Sequence, residues 1–327
     1  MKRFRDILCV VEPGDASRNA LERAVALARN NQASLTVVSV ADTVTAGIGM
    51  PEGGPISADL QEALVNMHAQ GLESLVKPHR ARIQIETRVL VGIPFVQVIR
   101  DVLSHGHDLV IKEPENPHWL DRLFGSDDMH LMRKCPCPVW MIKPQAEKSY
   151  RCILAAVDAD DDYLPAELET RRALNLQVLE MASSLALSEF AELHIVHVWD
   201  AVGETAMRSA FMRTPEEDVM AYVEQIRSRH AASLKDLVHE VTGSLGQDVA
   251  GYLKPQTHLV KGWARKEVPA LAKKMQADLV VMGTVGRTGI PGFLMGNTAE
   301  TILTQLDCSV LAVKPPGFTT PVTLVDR

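Results

Sequence analysis

Residues 153–158 read ILAAVD, and nearly the same apolar run, ILCVVE, occupies residues 7–12. A second pair follows in the same order, with LTVVSVAD over residues 35–42 and LHIVHVWD over residues 193–200. Short, nearly continuous apolar runs are typical of strands buried on both faces of a parallel sheet. Because the runs repeat in order, the sequence predicts two copies of one α/β unit joined in tandem.

The repeat continues to the end of each half. DLVI at residues 108–111 returns as DLVV at residues 278–281, and each half closes on an apolar strand followed by Lys-Pro. Amphipathic, helix-length segments separate the strands, and right-handed crossovers place such helices on both faces of a sheet. We therefore expect two tandem doubly wound α/β domains, 1–146 and 147–327, with the polar residues 145–148 as linker.

Length, charge and hydropathy argue against a nucleic-acid-binding protein and against a membrane protein. A chain of 327 residues suits two domains, and its net charge of -7 argues against sequence-independent nucleic-acid binding, which needs a basic face. No apolar stretch approaches the roughly 18 residues of a membrane helix, and no signal peptide fits the start, so we expect a cytoplasmic protein without membrane insertion. The five cysteines are interpreted as reduced, with no structural disulfide.

A glycine-rich loop follows the apolar run of residues 279–282 in the second half. Its glycines are Gly283, Gly286 and Gly296, and a helical pattern begins directly after them. Glycine lets backbone N–H groups approach an anion, and a helix start adds unpaired N–H groups. The loop therefore indicates a polyphosphate site, to which three further side chains could contribute: Arg287, Asn297 and Thr298.

Asp158 ends the first strand of the second half, as Gly283 ends the fourth. In open α/β sheets, ligands lie beyond the carboxyl ends of the strands, where the winding direction reverses. If the two strands are neighbours, a carboxylate for a base or sugar faces the same crevice as an anion site. That arrangement predicts a nucleotide ligand.

These features together resemble the universal stress protein family: Asp158, the Gly262 turn, and the G-x2-G-x9-G loop from Gly283 to Gly296. The resemblance covers both halves and is to the tandem two-domain type. It implies a five-stranded parallel sheet in each domain, and ATP or a similar nucleotide, with or without Mg²⁺, on members that keep the loop. It also implies that the base lies near a valine matched by Val198. The chain departs from the family at Asn297, where Ser or Thr is usual.

The first half keeps only a degenerate form of the loop, in which Gly125 and Ser126 retain the pattern. Glu113 stands where Gly283 does, and Pro114 and Pro117 remove backbone donors. A carboxylate about 5 Å from a phosphate charge costs on the order of 3 kcal/mol at an effective dielectric of about 20. We therefore predict that the first half does not bind nucleotide.

Several acidic, histidine and cysteine residues are candidates for metal or catalytic sites, and the sequence favours neither role for them. The acidic run at residues 160–162 is interpreted as a solvated loop rather than a Mg²⁺ site, and His194 and His197 should point to opposite faces of one strand. Cys135 and Cys137 have no second ligand pair for zinc. No catalytic motif is present, so we assign no catalytic or metal residue and expect at most slow ATP hydrolysis.

Two rival functions stay open. One is a ligand-free scaffold that acts through protein contacts, with a homodimer or an unidentified protein as partner. The other is a carrier of an apolar small molecule, because residues 203–240 form a long insertion containing Met207, Met212 and Met220.

Overall fold

The computed structural model of the protein describes residues 4–12, 18–44, 55–114, 127–144, 149–209, 212, 214–246, 251–285 and 295–324. The chain divides into two compact units. The amino-terminal unit contains Arg3–Lys148 and Asp307–Arg327, and the carboxy-terminal unit contains Ser149–Gly289 and Met295–Leu306. The boundary predicted after residue 146 lies among residues 145–148, outside the described part of the chain, and stays a prediction.

In the amino-terminal unit, five parallel strands alternate with helices. The strands are β1 (Asp6–Val10), β2 (Ser34–Ala41), β3 (Ile85–Val91), β4 (Leu109–Lys112) and β5 (Val139–Met141). The helices are α1 (Arg18–Asn31), α2 (Pro55–Val76), α3 (Pro94–His105) and α4 (Asp127–Lys134). The strand order is β3-β2-β1-β4-β5, and its reversal on either side of β1 defines a doubly wound sheet.

The carboxy-terminal unit repeats this plan with longer helices. Its strands are β6 (Cys152–Val157), β7 (Glu192–Trp199), β8 (Gln256–Lys261) and β9 (Leu279–Gly283). Its helices are α5 (Pro165–Glu189), α6 (Glu204–Met207), α7 (Glu216–Leu245), α8 (Ala264–Met275) and α9 (Asn297–Leu303). The four strands are parallel and lie in the order β9-β6-β7-β8, so β6 occupies the position that β1 holds in the other unit.

The last strand, β10 (Ser309–Val313), comes from the second repeat but belongs to the amino-terminal unit. It pairs antiparallel with β5, and Leu311 lies opposite the fully buried Trp140. The predicted α/β class and tandem arrangement are confirmed. The strand count implied by the resemblance differs, because among the described residues the amino-terminal unit has five parallel strands plus β10, and the carboxy-terminal unit has four.

The insertion at residues 203–240 forms α6 and most of α7. α7 begins at Glu216, and no side chain caps its first turn. It packs against α5 and β7 through an apolar stripe that includes Leu234, Leu237 and Val241. Across the part of the chain that the structure covers, no helix is both long enough and apolar enough to pass through a membrane.

Candidate functional site

Strand pairing brings three of the predicted site residues to one edge of the carboxy-terminal sheet. In β6, Ala156 lies beside Met282 of β9, and Val157 lies beside His197 of β7. Because all three strands are parallel, their carboxyl ends meet at one edge. Asp158, Val198 and Gly283 therefore sit at that edge, as the sequence and the family resemblance predict.

The carboxylate of Asp158 is already paired. Arg171 Nη1 donates a hydrogen bond of 2.6 Å to Asp158 Oδ2, and the Tyr163 hydroxyl donates to the same oxygen at 3.1 Å. The Arg171 guanidinium also lies 3.6 Å from the centre of the Tyr163 ring. Burial, followed by the negative charge of Asp158, raises the pKa of Tyr163 to about 12. Asp158 thus anchors a small ionic cluster, while 44% of its side chain stays exposed.

Asn175 fixes the turn that carries Asp158. Its side-chain nitrogen donates to the Asp158 carbonyl oxygen at 2.6 Å, and its side-chain oxygen accepts from the Asp158 amide at 3.0 Å. Both main-chain polar groups of Asp158 are therefore satisfied by one residue of α5. This two-point contact holds the aspartate in place without help from a ligand.

Gly283 has a packing reason of its own. A Cβ atom added there would lie 2.6 Å from Leu174 Cδ2 and 3.1 Å from Leu174 Cγ. The glycine therefore allows β9 to approach α5 closely, whether or not a phosphate lies beside it. This packing role is sufficient to explain a glycine at residue 283.

The far end of the glycine loop returns to its start. The Gly296 amide donates to the Thr284 carbonyl oxygen at 3.2 Å, so a main-chain hydrogen bond joins the two ends of the loop. Gly296 immediately precedes α9, whose first turn has no side-chain cap, and both Asn297 and Thr298 are exposed. The predicted residues Gly286 and Arg287 lie outside the described residues.

The equivalent edge of the amino-terminal unit is filled by the protein itself. Glu113 follows β4 and is only 7% exposed, and its Oε1 accepts a hydrogen bond of 2.9 Å from the Ala20 amide in the first turn of α1. Burial raises the pKa of Glu113. A carboxylate of the chain therefore takes helix N–H groups that an anion would otherwise use.

A cavity of about 320 Å³ lies between the β6 turn, α5 and α7. Carboxylates outnumber arginines among its charged lining residues, which are Asp158, Asp160, Asp161, Glu169, Arg171, Arg172 and Asp236. Sequence reasoning missed this cavity, because it depends on where α7 lies against α5. The predicted acidic loop is not merely solvated, since Arg229 Nε of α7 lies 3.2 Å from Asp161 Oδ1.

His194 and His197 point to opposite faces of β7, as their spacing predicts. His197 Nε2 lies 2.9 Å from His230 Nδ1 of α7, and His194 Nδ1 lies 3.1 Å from His258 Nε2 of β8. Burial and the neighbouring His230 lower the pKa of His197. Neither partner could be predicted from the sequence, because His230 and His258 lie on other elements.

In the amino-terminal unit, Asp101, His105 and His107 bring potential metal-ligand atoms within 4.8 Å of one another. The Arg88 guanidinium lies among them, 3.1 Å from Asp101 Oδ2, 2.6 Å from His105 Nε2 and 3.2 Å from His107 Nε2. A bound cation would meet this positive charge. We therefore interpret the cluster as an ionic network and assign it no metal.

The methionines of the insertion do not line the described cavity. Met212 is 59% exposed and Met220 is 62% exposed. Met207 is half-buried, and none of the three is among the residues that line the cavity. The side chains of α7 that do reach the cavity are Ser233, Asp236 and Leu237. The apolar residues of the cavity lining are Ala159, Leu168 and Leu237.

Comparison with known proteins places the chain in a family. The profile of the universal stress protein family matches residues 3–143 and 171–314. Universal stress protein E of Escherichia coli K12 is 32% identical over 337 residues, which cover 100% of this chain and 99% of that protein. A universal stress protein E homolog of Haemophilus influenzae is 28% identical over 324 residues, covering 96% and 98%.

Solved structures agree at the level of the fold. A functionally unknown protein of Pseudomonas aeruginosa PAO1 has a TM-score of 0.66 at 26% identity, covering 95% of this chain and 93% of that one. A universal stress protein of Archaeoglobus fulgidus has a TM-score of 0.62 at 16% identity, covering 96% and 98%. With a tandem doubly wound fold and a family profile that matches both repeats, the chain belongs to the universal stress protein family.

Proposed function

We propose that this stress-response protein binds ATP or a related nucleotide, with or without Mg²⁺, through its carboxy-terminal unit alone. The amino-terminal unit is then a structural copy without a ligand. A cytoplasmic location belongs to the same proposal, and cell fractionation tests it. We assign no catalytic residue.

The observation that carries the proposal is the contrast between Gly283 and Glu113, which follow equivalent strands of the two units. At Glu113 a buried carboxylate fills the edge and binds main-chain amides of α1. At Gly283 no side chain is present, and the loop that begins there returns to an exposed, uncapped helix start at Gly296. Negative charge is thus built into one edge and absent from the corresponding point of the other.

The charges around Asp158 indicate how a nucleotide would lie. The cavity between α5 and α7 has five carboxylates and two arginines in its lining, which disfavours phosphate there. We therefore assign the phosphates to the side of the edge between Gly283 and Gly296. The base or ribose is assigned to the side near Val198 and Asp158.

Calorimetric titration of the full-length protein with Mg-ATP tests the proposal. Gly296→Asp is the informative variant, because a Cβ at Gly296 meets nothing within 4 Å and Asp is a favoured helix cap. The substitution should leave thermal stability intact or raise it, yet weaken ATP binding about a hundredfold by placing a carboxylate near the phosphates.

Gly243→Asp supplies a matched control, because it adds the same charge at an exposed site with equal space in α7. Its affinity for ATP should equal that of the wild type. Absence of binding at millimolar ATP, or equal affinity in both variants, would refute the proposal and favour a scaffold. A lipid-like mass retained in native mass spectrometry would favour an apolar-ligand carrier instead.

A further inference from the structure

Two cysteines face each other at the junction of α4 and β5. Cys135 and Cys137 are separated by Pro136, and their Sγ atoms lie 3.5 Å apart without a bond between them. Cys135 is fully buried and Cys137 is 8% exposed. Two thiols this close differ from isolated buried cysteines, which usually act as small apolar side chains.

The local backbone holds the two sulfur atoms on one side. Cys135 still donates its amide hydrogen to the Leu131 carbonyl oxygen at 2.9 Å, which closes the last turn of α4. β5 begins two residues after Cys137, at Val139, so the cysteines occupy the short passage between helix and strand. Proline between them fixes one backbone dihedral of that passage.

A buried cation lies beside the pair. Lys314 follows β10 and is 3% exposed, and its Nζ donates a hydrogen bond to the carbonyl oxygen of Met132, near the end of α4. Burial lowers the pKa of Lys314 to about 8, although the two neighbouring cysteines act in the opposite direction. Its ammonium charge therefore acts on the sulfur atoms with little screening by water.

The two thiols have unequal acidity. Burial acts to raise the pKa of Cys135, but its hydrogen bond with Cys137 and the charge of Lys314 bring that pKa below the ordinary value. The hydrogen bond and burial raise the pKa of Cys137. Cys135 is thus suited to be the thiolate and Cys137 the thiol that donates to it.

Two other cysteines, Cys9 and Cys152, lie in a different environment. Burial raises the pKa of Cys9 strongly, with Glu113 adding to the effect. Burial raises the pKa of Cys152 to about 11, with Asp278 and Glu192 adding to it. Negative neighbours thus suppress the thiolate at Cys9 and Cys152, whereas a positive neighbour favours it at Cys135.

We propose that Cys135 and Cys137 form a redox-active pair that hydroperoxides oxidise to a disulfide. The Cys135 thiolate attacks one oxygen of the hydroperoxide, the O–O bond breaks, and the leaving oxygen takes a proton to become water or an alcohol. Cys135 is then a sulfenic acid. Cys137 attacks its sulfur, the S–S bond forms, the S–O bond breaks, and the hydroxyl leaves as water with the Cys137 proton. Two electrons pass from sulfur to the peroxide.

Only a small movement is required for this step. A disulfide has an S–S length of about 2.05 Å, so the two sulfur atoms must close a gap of roughly 1.5 Å. Rotation of the Cys137 side chain, the more exposed of the two, can supply part of it. Reduction by a small thiol would restore the pair, which makes the modification reversible.

Peptide mass spectrometry of the full-length protein tests this proposal. Reduced protein is treated with hydrogen peroxide, quenched with an alkylating agent under denaturing conditions, and digested. The peptide that holds both cysteines should lose two hydrogens and escape alkylation, while Cys9 and Cys152 remain alkylated. Treatment with dithiothreitol should reverse the change.

Two variants assign the roles. Cys137→Ser should stop the reaction at a sulfenic acid on Cys135, which dimedone captures, whereas Cys135→Ser should give no adduct at residue 137. Cys152→Ser is the control and should react at the wild-type rate.

The charge of Lys314 is tested in two ways. Lys314→Met should slow oxidation about tenfold. The oxidation rate of the wild type should also fall as the pH drops below the pKa of the Cys135 thiol, a measurement that needs no variant. Oxidation of Cys152 before this pair, or alkylation of both cysteines at every peroxide dose, would overturn the proposal.

Discussion

Glu113 holds the first turn of α1 in place, with its Oε1 2.9 Å from the amide nitrogen of Ala20. The same position in the second repeat is Gly283, where an added Cβ atom would lie 2.6 Å from Leu174 Cδ2. At this position the two repeats thus differ between a buried carboxylate that binds a main-chain amide and a glycine. The contrast gives the protein one candidate site where its fold could have given two.

Glu113→Gln should stabilise the protein at neutral pH. The pKa of Glu113 is raised in the folded state, so folded protein binds more protons than unfolded protein between the ordinary and the raised value. Stability contributed by this group is therefore lost as pH rises through that window. The glutamine side chain does not ionise, so the variant avoids this loss of stability, and its amide oxygen still accepts from the Ala20 amide.

Urea unfolding at a series of pH values from 4 to 7 measures this effect. The advantage of Glu113→Gln over the wild type should grow with pH, whereas Glu62→Gln, on the exposed side of α2, should show no such trend. Glu113→Ala should instead destabilise by about 1–2 kcal/mol, because it leaves a buried amide without its acceptor. A pH-independent difference for Glu113→Gln would contradict the assignment.

Gly283→Ala should destabilise the carboxy-terminal unit by about 1–3 kcal/mol through overpacking against Leu174. Shortening the partner in a Gly283→Ala, Leu174→Ala double variant should recover part of that cost, which a double-mutant cycle in urea would show. Gly251→Ala is the control, since its Cβ meets nothing within 4 Å. Equal effects at both glycines would remove the packing explanation.

Asp158→Asn should lower the pKa of Tyr163 from about 12 toward its ordinary value of 10.0, because the neighbouring negative charge disappears. Phenolate absorbance during alkaline titration, with a Tyr163→Phe protein subtracted, isolates this residue. Asp162→Asn tests specificity, because its exposed side chain makes no contact with the tyrosine hydroxyl among the described hydrogen bonds. An unchanged Tyr163 titration would mean that Asp158 does not set its pKa.

Two buried histidines should give opposite pH dependence of stability. The pKa of His197 is lowered in the folded state, so its contribution is present above the ordinary value of 6.5 and is lost as pH falls below it. For His107, burial opposes protonation, but hydrogen bonds with Asp101 and Asp6 raise the pKa. Its contribution is present below 6.5 and is lost as pH rises through the raised value.

Chemical unfolding between pH 5 and pH 8 distinguishes the two groups. His197→Gln should flatten the loss of stability on the acid side, and His107→Gln should flatten the loss on the alkaline side. Each variant serves as the control for the other, since both remove one buried imidazole. Parallel shifts of the two curves would show that neither histidine titrates as described.

The sequence predicts the repeated strands well, because their apolar runs are short, continuous and in the same order. It also predicts that Asp158 and Gly283 share an edge, since parallel strands bring their carboxyl ends together. The place of Val198 near the ligand is implied by the family resemblance alone. It does not reveal the Arg171 contact with Asp158, which depends on the direction of α5. The histidine pairs could not be predicted either. Strand spacing predicts which face of the sheet His197 lies on, but it does not identify the residue of α7 that contacts it.

β10 was the largest departure in the fold. Its apolar run, residues 309–313, suits a strand in either unit, and pairing with Trp140 of β5 is decided by three-dimensional packing rather than by local pattern. Periodicity within the run carries no information about which sheet receives it. Only the tertiary structure assigns it to the amino-terminal unit.

The place of β10 in the amino-terminal unit has a consequence for synthesis on the ribosome. The strands β1 to β5 emerge first, but the antiparallel neighbour of β5 is translated only after almost the whole second repeat. A nascent chain stopped before Ser309 would leave Met141 and its neighbours without that partner, and unpaired strand edges invite association with other chains. The pairing of β5 with β10 in the amino-terminal unit can therefore form only after Ser309–Val313 has been translated.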